Sequence, residues 1–178
     1  MAEAAELFLT LSVAGQLCGV PVLAVREVLG PQAITRIPLA PPEVAGSLNL
    51  RGRIVTAIDL RRRLGLPPRL APQQPARSPG ECGSMGVVVE RDGELYSLLA
   101  DQVGEVLPLP QADRAPYPPT FDPLWRDISM GVHRQGERLL IALDVGRVLA
   151  IGLEPCGKPR RRVVASETPN DPDGRHEP

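Results

Sequence analysis

Nucleophilic and metal chemistry need cysteine, histidine or serine beside a base or a carboxylate, and this sequence offers little of that material. Its three cysteines, at 18, 82 and 156, form an odd set without CxxC spacing, and its two histidines are His133 and His176. Together they are too few and too scattered for a structural zinc site. Cys18 falls in an apolar run, where a thiol acts as a small core residue, and free thiols suit a reducing cytosol. His133 has no Ser, Cys or carboxylate at motif spacing and reads as a surface histidine. No constellation for general acid–base or nucleophilic work is visible, so the chain reads as a non-enzyme with no metal and no cofactor. What remains is guanidinium chemistry: arginines at 51, 53, 61, 62 and 63, and a basic run from Lys158 to Arg162. No aromatic residue interleaves the first group for base stacking. Arg61, Arg62 and Arg63 splay over an arc of a short helix, and a net charge of −1 gives the molecule no general attraction for nucleic acid. Both runs read as solvated charge.

The elements that position the first arginines lie in the stretch from Gly46 to Gly65. Ile54 to Leu60 is a compact apolar run with β-branched residues at 54, 55, 56 and 58, which predicts a buried strand. Asp59 closes the run and can cap a short helix whose buried face is Leu60 and Leu64, ended by Gly65. Ahead of the strand, Asn49-Leu50-Arg51-Gly52 places turn-forming residues on either side of an exposed arginine.

The same grammar runs through the rest of the chain. Leu7–Val13 and Leu17–Val20 predict a hairpin, Val22–Val25 a helical turn, and Val25–Leu29 an extended strand. Ile34–Ile37 predicts a short strand stopped by Pro38, and Pro41–Ala45 a single helical turn. Met85–Glu90 and Glu94–Ala100 form a second hairpin about Asp92-Gly93. Val103–Leu109 is extended, Arg114–Pro123 is proline-rich, and Ile128–Arg134 with Arg138–Leu143 makes a third hairpin before a helix capped by Asp144. The two halves repeat: Gly15–Leu29 aligns without a gap on Gly93–Leu107, placing Glu27 on Glu105. Likewise Gly46 falls on Gly131, and Arg53–Leu60 on Arg138–Val145. Each unit of about 60–65 residues would have a marginal core alone, so the two should pack together. Short strands separated by Gly and Pro favour small barrels in an all-β chain.

Composition bounds this organisation. Hydrophobic content of 43% and charge of 23% suit a folded globular chain, and 3% aromatic content calls for an aliphatic core. The 21 prolines concentrate in a few stretches. Residues 67–83 read as a Pro-rich linker between lobe one, about 7–66, and lobe two, about 84–153. Residues 154–178 read as a disordered tail. The acidic start lacks a basic signal-peptide region, and no apolar run approaches the ~18–20 residues of a spanning helix. The chain reads as cytoplasmic.

The run Gly46-Ser-Leu-Asn-Leu-Arg-Gly-Arg-Ile-Val-Thr-Ala-Ile-Asp-Leu-Arg-Arg-Arg-Leu-Gly65 resembles the signature of the CheW family, the coupling proteins of bacterial chemotaxis arrays. The resemblance covers roughly Leu7 to Leu153 and implies two SH3-like five-stranded β-barrels packed together, with short helices. It implies a non-catalytic adaptor between methyl-accepting chemoreceptors and the CheA histidine kinase. The expected contacts are the kinase's regulatory domain and the receptor's cytoplasmic tip. By the same resemblance Glu27 and Arg51 form a charged pair on the receptor-facing surface, with Val25, Gly46, Leu48 and Asn49 beside it. Val25 and Leu48 can equally be read as core. The chain departs from the family in having Thr56 where many relatives have proline, in the 67–83 insertion and in the 158–178 tail. Two alternatives follow: a CheW-like paralogue serving another chemosensory-like pathway, or a small SH3-like barrel that binds nucleic acid through its arginines.

Overall fold

The computed structural model describes residues 5–67 and 83–151. The expectations of a Pro-rich linker and of a disordered C-terminal tail fall almost wholly outside them. Eleven strands are described: β1 (Glu6–Val13), β2 (Gln16–Pro21), β3 (Val25–Leu29), β4 (Val44–Leu50), β5 (Arg53–Asp59), β6 (Met85–Arg91), β7 (Glu94–Ala100), β8 (Gln102–Leu109), β9 (Arg114–Ala115), β10 (Ser129–Gln135) and β11 (Arg138–Leu143). Three short helices accompany them: α1 (Leu60–Arg63), α2 (Pro123–Ile128) and α3 (Val145–Leu149).

The strands form two mixed sheets. One runs β8-β1-β2-β11-β10-β9, the other β3-β6-β7-β5-β4. Each sheet therefore takes its first hairpin from one half of the repeat and its remaining strands from the other. The two parallel pairings make that exchange: β2 lies beside β11 with Cys18 opposite Ile141, and β7 beside β5 with Tyr96 opposite Thr56. Cys18 aligns on Tyr96 and Thr56 on Ile141, so the repeat read in the sequence is a repeat of pairings. Its irregularities repeat too. Register shifts fall between Val44 and Gly46 in β4 and between Ser129 and Gly131 in β10.

The expectation of two closed five-stranded barrels is corrected here. One sheet has six strands, and among the described residues no ladder joins β8 to β9 or β3 to β4. The segments that would have to close them carry the prolines. Pro31, Pro38, Pro41 and Pro42 interrupt the stretch before β4, while Pro110, Pro116, Pro118 and Pro119 surround β9. Proline lacks the N–H that a ladder needs. Accordingly the strand expected at Ile34–Ile37 shrinks to one bridge, with Thr35 and Ser47 exchanging N–H···O bonds of 2.8 Å. The helical turn expected at Pro41–Ala45 is a tight turn in which the Val44 amide donates to the Pro41 carbonyl. Side chains close what backbone does not. Leu29 from the β3 edge and Ile34 from the segment beside β4 pack on the same cluster of Leu48, Val55, Ala57 and Leu99.

The main core lies between the sheets. Leu11, Val13 and Val20 meet Val87, Val89 and Leu98 there, and the helices add Leu60, Ile128 and Val148. It is aliphatic, as the composition requires. Cys18 is buried in it, and burial pushes its thiol pKa up to about 12, so it is an inert packing residue. Helix α2 has no counterpart in the sequence reading. Its proline-rich approach disguises it, yet Asp122 caps it by accepting from the Leu124 amide, with Pro123 at its first position. Trp125 on α2 donates its indole N–H to the Leu64 carbonyl at 2.8 Å, tying α2 to the end of α1.

Candidate functional site

Strands β3 and β4 are the two edges of the five-stranded sheet. The turn joining β4 to β5 is the two-residue loop Arg51-Gly52, with Leu50 opposite Arg53. Both loop residues have positive φ, 51° at Arg51 and 85° at Gly52, the pattern of a type I′ hairpin turn. The Asn49 side chain accepts from the Gly52 amide at 2.8 Å and fixes the loop. From this turn the Arg51 guanidinium reaches across the open seam and donates to the Glu27 carboxylate on β3 at 3.0 Å. The Arg51 side chain is 80% exposed and that of Glu27 26%. The structure thus brings together the two residues that resemblance paired.

Such a pair adds only about 0–1 kcal/mol to stability. Its setting costs a comparable amount, because a non-glycine residue in the left-handed region is disfavoured by roughly 1–2 kcal/mol. Gly would fill that turn position without strain, and Asn or Asp with less of it. Turn preference alone does not select an arginine there.

The neighbouring expected residues divide. Asn49 is exposed and Val25 is half-buried against the main core. Leu48 is buried among Val55, Ala57 and Leu99 beneath the sheet. Gly46 is also buried, with φ of 150°, and a Cβ there would strike the Thr35 carbonyl. Both are interior positions on β4, with no face open to a partner.

The arginines of α1 are committed to the protein itself. Arg61 grips Asp101 with two hydrogen bonds, Nε at 3.0 Å and Nη2 at 2.6 Å. Arg62 leans on Asp59 at 3.6 Å and donates to the Pro42 carbonyl. Arg63 donates to the carbonyls of Val148 and Arg147 at 2.9 and 2.8 Å, closing the C-terminal end of α3. With Arg51 on Glu27, four of the five arginines that prompted the nucleic-acid alternative already have partners.

His133 is corrected from surface to interior. It lies on β10 opposite Leu140, with its ring 6.4 Å from that of Phe8, and is buried. The expectation failed because β10 places Gly131, Val132 and His133 all inside, which strict alternation does not foresee. Burial chiefly lowers its pKa below 6.5, assisted by Arg114 and opposed by Asp113, a hydrogen bond with the Pro110 backbone and Glu6. Among the described residues its Nδ1 has no hydrogen-bond partner. Sequence reasoning also missed Asp101, a lone acid between two strands whose partners come from distant segments. Among the described residues no group of three or more His, Cys, Asp or Glu could hold a metal ion.

Comparison with known proteins agrees in family and fold. Residues 7–151 match the CheW-like domain family. The chain is 29% identical over 143 residues to the chemotaxis protein CheW of Klebsiella aerogenes, covering 80% of this chain and 81% of that one. To the chemotaxis protein CheW of Treponema pallidum it is 26% identical over 141 residues, covering 79% and 80%. The crystal structure of the scaffolding protein TtCheW from Thermoanaerobacter tengcongensis superposes with a TM-score of 0.68 at 27% identity, covering 83% of this chain and 94% of that one.

Proposed function

Because this chain belongs to the CheW family, we propose that it works through the surface around Glu27 and Arg51, which engages the chemoreceptor. The protein is a non-catalytic adaptor that couples methyl-accepting chemoreceptors to a CheA-type histidine kinase in chemotaxis signalling. The observation that carries the site reading is the strained, exposed Arg51 bridging the open seam of the five-stranded sheet to Glu27. Charged groups at such a surface govern partner choice and register more than fold stability. Asn49 fixes the same turn, while Gly46 and Leu48 are buried on the strand that carries it.

The receptor contributes the helical hairpin at its cytoplasmic tip, an amphipathic surface that docks by apolar contact flanked by charge. The kinase contributes its regulatory domain. Signalling output follows from simultaneous occupancy, in which effective concentration replaces high pairwise affinity. No helix among the described residues is long and apolar enough to cross a membrane, and receptor tips and kinase meet in the cytoplasm, where we place this adaptor.

Binding to a kinase regulatory domain and a receptor-tip fragment, both from the protein's own organism, tests the reading. Arg51→Glu and Glu27→Arg should each abolish receptor binding with folding intact, and the charge-swapped double variant should restore part of it. Wild-type protein that binds neither partner would sink the coupling role. Steeply salt-dependent retention on heparin would then return the arginine reading to consideration.

A further inference from the structure

The chain passes directly between the two sheets at two places, and they are repeat mates. The first crossover is the 3-10 turn Val22–Ala24 between β2 and β3. The second is the single residue Asp101 between β7 and β8. Their central residues align, Leu23 on Asp101, yet they behave in opposite ways. Leu23 is 90% exposed. The Asp101 side chain is 17% exposed and, among the described residues, accepts from three groups. Two are the Nε and Nη2 of Arg61 on α1, and the third is the Ala14 amide in the β1–β2 turn at 2.7 Å. Arg61 is itself only 20% exposed and donates further to the Pro67 carbonyl, and the Asp101 carboxylate raises its pKa.

This one carboxylate ties together α1, which extends the five-stranded sheet, the crossover itself, and a hairpin turn of the six-stranded sheet. At the first crossover α3 carries Gly146 where Arg61 has its repeat mate, and the exposed Arg91 reaches across to the Gly146 carbonyl. The apolar core between the sheets resists their separation, and Arg63 ties α1 to α3 through two carbonyls, but hydrophobic contact itself is non-directional. A bidentate, charge-assisted pair is directional.

We propose that Arg61 and Asp101 are positioning residues for coupling: they fix the angle between the two sheets, and hence the relative placement of surfaces on either sheet. The proposal rests on the adaptor role given above. Bivalent engagement depends on geometry in a way that each single contact does not. The predicted signature is therefore a split between pairwise affinity and assembled activity.

Asp101→Asn and the milder Arg61→Lys, which keeps the charge but loses the two-point fork, should each leave affinity for the receptor fragment and for the kinase regulatory domain within about threefold of wild type. Kinase stimulation in the three-component mixture should fall about tenfold or more. A second readout needs no partner. Spin labels at Arg53→Cys and Arg138→Cys, exposed mates on the two sheets, are placed in a background with Cys82→Ser and Cys156→Ser. Their distance distribution should broaden in both variants. Unchanged distances would overturn the clamp, as would pairwise affinities that fall in step with stimulation, the mark of a merely structural role. If wild-type protein engages neither partner, the adaptor reading fails, and the label distances alone decide the clamp.

Discussion

The two halves of this molecule share one framework and carry different chemistry on it. In each, an aspartate caps the short helix after the last strand, Asp59 and Asp144, and an arginine three residues later leans back on it. In each, the strand before that helix pairs in parallel with the exchanged hairpin. Two other polar features are not shared. The seam pair exists only in the first half: Glu27 meets Arg51, whereas Glu105 is exposed and the mate of Arg51 is Gly136, with φ of 61°. The clamp at Asp101 exists only at the second crossover. What repeats is what the fold requires, and the two features that do not repeat are the ones on which the proposals above rest.

Gly46 and Gly131 are the sharpest test of which features the framework itself imposes. Both sit at the bulge of an equivalent strand, but only Gly46 has positive φ, and its missing Cβ would strike a backbone carbonyl. At Gly131 the obstruction is the guanidinium of Arg114, with Nε at 2.9 Å, the far end of a side chain that can move. Gly46→Ala should cost about 2–4 kcal/mol, strain and a broken bridge together. Gly131→Ala should cost less than about 1 kcal/mol. Urea unfolding midpoints of the two variants measure the gap, and equal losses would show that the two bulges are not differently constrained.

The caps should show the opposite, a symmetric response. Asp59 accepts from the amides of Arg61 and Arg62, and Asp144 from that of Arg147. Replacing either by alanine should cost about 1 kcal/mol. A markedly larger loss at Asp59 would mean that displacing Arg61 from Asp101 accompanies loss of the cap.

A smaller, pH-dependent difference separates Leu48 from its mate His133. Both are buried on their strands, but only one can take a proton. The folded-state pKa of His133 is held below its ordinary 6.5 mainly by burial, with Arg114 adding to the effect. The unfolded chain therefore binds more protons in this window, and stability falls as pH drops below about 6.5 until the folded-state value is passed. Above that window His133 contributes no pH dependence. His133→Leu, which makes the second half resemble the first, should flatten the acid limb of a stability–pH profile. An unaltered limb would assign acid sensitivity to other groups.

Much of this framework was legible because it repeats. Hairpins, capping aspartates and the alignment of Glu27 on Glu105 all follow from local pattern, and local pattern is what a single sequence carries. Closure was not legible. A strand-rich half with Gly and Pro punctuation suggests a barrel, but whether edges meet depends on N–H groups that Pro31, Pro38 and Pro116 do not have. Nor did the sequence show that the hairpins are exchanged between halves, since Thr56 and Tyr96 stand forty residues apart. The pairing of Glu27 with Arg51 entered through family resemblance, and the geometry agrees with it. Asp101 left no local trace because its partners, Arg61 and Ala14, come from elsewhere in the chain.

The smallest expected change in stability belongs to the residue on which the proposed function leans most. Arg51→Asn places at the αL position a side chain that tolerates it, so strain of roughly 1 kcal/mol is relieved. The lost ion pair offsets about 0–1 kcal/mol of that. Stability should therefore stay level or rise by at most about 1 kcal/mol, while receptor binding is lost. Substitution at a residue kept for folding would instead lower both together. A variant that is as stable as wild type and no longer binds would separate the turn's needs from the surface's. If Arg51→Asn were clearly destabilised, the arginine would belong to the framework after all, and the contrast with Gly136 would carry no functional meaning.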